Sequence, residues 1–128
     1  KRQAYYLVKN HNDVFGACGC VSTHFALNER DFAGYGGLDP RDADVTPYIV
    51  RDIEGGAVLS GGRFFFDYGT ETLDSTYEKD HEPVERWFRQ QGLRKNRDFR
   101  FAKYAGADHS ERAWRARVGD QLEWLLGR

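Results

Sequence analysis

Apolar positions along the chain recur with two different periods, and the changes between them mark out the elements. In residues 2–10, RQAYYLVKN, Ala4, Tyr5, Leu7 and Val8 fall at helical spacing. The next stretch, VFGACGCVS from Val14 to Ser22, is a near-continuous run of small and apolar residues. That pattern predicts a strand buried on both faces, as in a parallel sheet. Residues 23–45 are rich in Gly, Asp and Arg with little periodicity, so they read as a long irregular excursion, a feature that in compact domains points to function. Thr46 can cap a short helix, TPYIVRDI, with Pro47 at its first position and Gly55 and Gly56 as its stop. Arg63 to Tyr68 predicts a second buried strand, with a loop from Gly69. A helix follows from about Glu82 to Gln91, with Pro83 near its start, Val84, Trp87, Phe88 and Gln91 on one face, and Gly92 after it. RDFRFAKYAG supplies a third strand with Phe99 and Phe101 on one face, ending at Gly106. The last helix, Ser110 to Leu126, carries Trp114, Val118, Leu122 and Leu125 on a predicted inner face.

Helix and strand alternate throughout, which predicts an α/β class: three layers, a parallel sheet flanked by helices, in one domain over residues 1–128. The formal net charge of −1 argues against a polyanion-binding protein. Five cations between Arg94 and Lys103 alternate with Phe99 and Phe101, a solvated strand face rather than a nucleic-acid surface. No apolar run approaches the roughly 20 residues of a membrane span. Cys18 and Cys20 read as buried free thiols, since a zinc site needs more ligands than this pair offers. The chain contains no methionine and begins with Lys1, which reads as a piece of a longer polypeptide.

In open parallel sheets, ligands meet the carboxyl ends of the strands. Three clusters occupy that rim: Ser22 to His24, Gly69 to Asp74, and Ala105 to His109. An acid after one strand and a histidine after the next can meet in space, and together they form the acid–base half of a nucleophilic triad. Asp74 or Glu71 is the candidate acid, and His109 the base. The plainer account of His109 is a loop residue beside a helix start, with Asp108 as the cap and Glu111 three positions on. Asp67 lies within the strand pattern and is expected to pair with Arg63 or the backbone. His24, Ser22 and Trp114 are candidate substrate contacts. Ser22 is also weighed as a substitute nucleophile, Trp114 and Trp87 as core-facing residues, and His11 and His81 as surface residues.

These residues carry a resemblance. YYLVKNHNDVFGACGCVS, FDYGTETLDSTYE and GADHSERAWRARV resemble, in order, three parts of an α/β-hydrolase of the esterase group that includes enterochelin esterases, feruloyl esterases and esterase D. They correspond to the helix and strand after the nucleophile elbow, the strand and loop of the triad acid, and the histidine loop with the closing helix. The resemblance implies the C-terminal half of an α/β-hydrolase fold, acting on a small-molecule ester without metal or organic cofactor. It also implies that the nucleophile serine sits in a Gly-x-Ser-x-Gly elbow ahead of the first helix, and no such motif occurs in the chain. The expected product is therefore a serine-esterase fragment that supplies acid and histidine; the alternative is an inactive hydrolase-like domain that binds or is completed by a partner. The edge of the strand at Val14 to Ser22 would then recruit a second copy or a missing N-terminal half, or leave the chain marginally stable.

Overall fold

The computed structural model describes residues 2–25, 48–57 and 59–127. The predicted excursion, beyond its first three residues, and the Thr46 cap with Pro47 lie outside the described residues. Helix α1 (Arg2–Asn10) leads into strand β1 (Ala17–Cys20), and helix α2 (Tyr48–Glu54) precedes strand β2 (Arg63–Gly69). A 3-10 turn (Thr72–Thr76) and helix α3 (Glu78–Gln90) follow, then strand β3 (Phe99–Tyr104) and helix α4 (Glu111–Leu126). The strands form a parallel sheet in the order β1-β2-β3, with Cys20 opposite Phe66 and Gly69 opposite Tyr104. Each strand therefore ends on the same rim.

β2 is central, and successive side chains point to opposite faces. Phe64 and Phe66 join Tyr5 and Val8 of α1, Ile49 of α2, and Val84, Trp87 and Phe88 of α3 in one core. Phe65 turns the other way and meets Trp124 of α4 at 5.8 Å between ring centroids. Three helices thus cover one face and α4 covers the other, which gives an α/β three-layer sandwich.

Three expectations change. The first strand is shorter than the apolar run: β1 covers Ala17–Cys20, while Val14 is 70% exposed and Phe15 is also exposed, because the chain turns there before entering the sheet. Helix α3 begins at Glu78, so Pro83 lies inside it; Glu78 and Asp80 in its first turn complement the helix dipole. In α4 the buried positions are Arg117 and Gln121, whereas Val118 and Leu122 are 37% and 49% exposed. Gly19 of β1 faces this contact: a Cβ there would lie 2.6 Å from the Gln121 side-chain amide, so the glycine leaves room for Gln121 in its present position.

Candidate active site

The loops after β2 and β3 are stitched into one surface. The N–H groups of Thr70 and Glu71 both donate to the Ala107 carbonyl at 3.0 Å, and Gly106 N–H donates to Thr70 Oγ1. His109 N–H donates to Thr72 Oγ1 at 2.9 Å, which anchors the histidine backbone to the 3-10 turn. Gly69 cannot carry a side chain here, because a Cβ would stand 2.1 Å from the Ala107 carbonyl oxygen.

Asp74, on that turn, is fully buried and faces the histidine: His109 Nδ1 lies 2.6 Å from Asp74 Oδ1. The other carboxylate oxygen accepts from Gly69 N–H at 2.6 Å and from the Ser22 hydroxyl at 2.7 Å. Burial alone would push this carboxyl up; hydrogen bonds from Ser22, Gly69 N–H and His109, with the attraction of the imidazole, outweigh it and hold Asp74 below the usual carboxylate range. An ionised Asp74 only accepts, so Nδ1 of His109 carries the proton and Nε2 is left as the acceptor. The imidazole is partly exposed, with Trp114 edge-on at 5.1 Å and Tyr77 edge-on at 6.2 Å.

No family model, curated protein or solved structure matches the chain.

Of the two candidate acids, Asp74 is the one brought to His109; Glu71 is exposed and accepts a hydrogen bond from its neighbour Thr70. Ser22 is 0% exposed: its hydroxyl donates to Asp74 and accepts from Trp114 Nε1 and Arg117 Nη2, each at 2.7 Å. Both its lone pairs and its proton are engaged, an arrangement that positions neighbours rather than leaving an oxygen to attack or bind. Trp114 bridges the two groups, its N–H on Ser22 and its ring against His109. His24 stacks on Tyr77 at 4.7 Å, with Nε2 3.8 Å from Asp80 Oδ2, so it stands one ring away from His109.

Two expectations about neighbouring residues are corrected. His81 is buried, not on the surface: Phe25, Tyr68 and Phe101 surround its ring, and Nε2–H donates to the Thr23 carbonyl at 2.7 Å. Burial pushes its pKa down to about 4, so the ring is neutral at pH 7. The α4 cap is Ser110, which accepts from Ala113 N–H, while Asp108 takes the Ser110 hydroxyl and Arg112. His109 is therefore not held by a capping box built on Asp108.

The sequence also passed over a second buried layer. Asp67 has the backbone partner expected of it, Ser22 N–H at 2.8 Å from Oδ1, but its cation is Arg117 of α4, not Arg63: Nε lies 3.1 Å and Nη2 3.0 Å from the same oxygen. Burial pushes the Asp67 carboxyl up, against the pull of Ser22 N–H and Arg117. Ser22 itself sits at φ 46°, a left-handed conformation that costs a serine roughly 1–2 kcal/mol. The only signal in the sequence was Asp67 in the middle of an otherwise aromatic strand, a buried acid that must find a cation.

Proposed function

We propose that this chain contributes the acid and the base of a serine-type carboxylic ester hydrolase, arranged as in the second half of an α/β-hydrolase. The observation that carries the reading is the 2.6 Å contact between His109 Nδ1 and a buried, ionised Asp74 on the carboxyl rim of a parallel sheet. In this role His109 Nε2 takes the proton of a serine hydroxyl as the oxygen attacks the ester carbonyl, and the same proton passes to the departing alcohol. A water then repeats the step on the acyl-enzyme. Asp74 fixes the tautomer and stabilises the imidazolium without taking the proton. The serine would come from a segment preceding α1, since the hydroxyl of Ser22 is committed to Asp74, Trp114 and Arg117, that of Ser75 to the Thr72 carbonyl, and that of Ser110 to Asp108 and the α4 cap.

Hydrolysis of short-chain p-nitrophenyl esters tests this, with the 128-residue chain and with a polypeptide that includes its native upstream sequence. The expected result is turnover only in the longer form, abolished by His109→Ala. Turnover by the 128 residues alone that disappears in Ser22→Ala would overturn the assignment of the nucleophile.

A second reading is an inactive hydrolase-like module completed by a partner. It is favoured by the exposed Val118, Leu122 and Leu126 of α4, and by β1 lying at an edge of the described sheet. Ester turnover in neither form would select it.

A further inference from the structure

We propose that Arg117 is a positioning residue for the Asp74–His109 pair, keeping the Asp74 carboxylate turned toward the imidazole. This rests on the reading of Asp74 and His109 as an acid–base pair. Two carboxylates are buried side by side in one network, Asp67 from β2 and Asp74 from the turn that follows it. One cation serves both: Arg117 Nη2 lies 3.0 Å from Asp67 Oδ1 and 3.3 Å from Asp74 Oδ2, and donates to the Ser22 hydroxyl that bridges to Asp74. Tyr104 of β3 lies beneath the guanidinium, 5.3 Å from its ring centre to the guanidinium carbon.

Removing the cation would leave Asp67 and Asp74 side by side with no cation between them, and Asp74 Oδ2 would lose one of the contacts that fix how its carboxylate is turned. A carboxylate turned away from Asp67 would cost His109 its acceptor at Oδ1. With Arg117 present, Ser22, Gly69 N–H and the guanidinium all point at Oδ2, which leaves Oδ1 for the imidazole.

The network is a poor investment if stability were its purpose. Arg117 Nη1 and Asp67 Oδ2 are buried with no hydrogen-bond partner among the described residues, and Ser22 is held in a strained conformation. A buried ion pair with unmet groups contributes little net stability, so its worth lies in what it orients.

The test reads the His109–Asp74 hydrogen bond directly, as the strongly deshielded His109 Nδ1–H resonance in the isotopically labelled chain. In Arg117→Met the resonance is expected to be lost while the amide spectrum stays folded. Adding Asp67→Asn to Arg117→Met removes the second carboxylate and should restore it. Arg117→Lys keeps the charge but not the fork, and should give a weakened signal. If Arg117→Met does not fold, Arg117→Lys decides alone, and an unchanged resonance there overturns the proposal. Gln121→Ala, a neighbouring buried contact of α4 that does not touch Asp74, should leave the resonance in place. An unchanged signal in folded Arg117→Met, no recovery in the folded double variant, or equal loss in Gln121→Ala would each overturn it. Because the readout is not turnover, absence of ester hydrolysis in the longer polypeptide would remove the esterase reading and leave the role of Arg117 standing.

Discussion

The two faces of the sheet are built from opposite chemistry. Under α1, α2 and α3 the contacts are aromatic: Phe88 alone meets Phe64, Phe66, Phe99 and Phe101 at centroid distances of 5.3 to 5.9 Å. Under α4 the rim end is polar, with Arg117, Asp67 and Ser22 buried where apolar side chains would be expected, and Gln121 beside them. The first face supplies stability through apolar burial. The second trades that gain for a fixed set of hydrogen bonds around Asp74, and so α4 belongs to the site as much as to the core.

Substitutions on each face should separate these roles, beginning with the largest effect. Phe88→Ala is expected to lower the unfolding free energy by about 3–5 kcal/mol, as a fully buried aromatic lost into a cavity. Chemical denaturation measures this, and a loss below about 1 kcal/mol would show that the aromatic face is not the source of stability.

The aromatic face also buries a histidine. His81 is held down at about 4 from 6.5, so between those values the unfolded chain binds the extra proton and the folded chain does not. Its contribution is fully present above about pH 6.5 and is lost as pH falls toward 4. The loss is on the order of 3 kcal/mol. His81→Gln keeps a donor for the Thr23 carbonyl and does not titrate, so its denaturation midpoint should fall less steeply over that interval. Identical slopes would contradict the burial of a neutral ring.

On the polar face, Ser22→Ala leaves Trp114 Nε1 without its acceptor and takes from Arg117 Nη2 one of its three oxygen contacts, and should cost about 1–3 kcal/mol. It should also disturb His109, which Phe88→Ala should not do while the chain remains folded. The smallest effect belongs to the outer stripe of α4: Leu122→Gln should change stability by no more than about 0.5 kcal/mol, because the side chain is 49% exposed. A larger loss would mean that the stripe is covered in solution.

The sequence displayed the aromatic face well and the polar face badly, for one physical reason. Phe64, Phe66, Val84, Trp87, Phe88 and Phe99 announce themselves by hydrophobic period, so the order of elements and the parallel sheet were legible. So was the meeting of an acid with His109, because adjacent parallel strands must bring their ends to one rim. Arg117 was not legible, since an arginine on an amphipathic helix reads as outer surface; period alone pointed Val118 and Leu122 inward instead. Pro83 resembles a first-turn proline and so hides the start of α3, which lies five residues earlier at Glu78. His81 reads as a surface residue because nothing among its sequence neighbours reveals the ring cluster closing around it.

The most direct measurement is the His109 Nδ1–H resonance in two variants of the chain, Asp74→Asn and Glu71→Gln. If the buried carboxylate of Asp74 is the partner that makes His109 a base, the signal is lost in Asp74→Asn and unchanged in Glu71→Gln. A signal that survives in Asp74→Asn, or is lost in Glu71→Gln, would contradict the account.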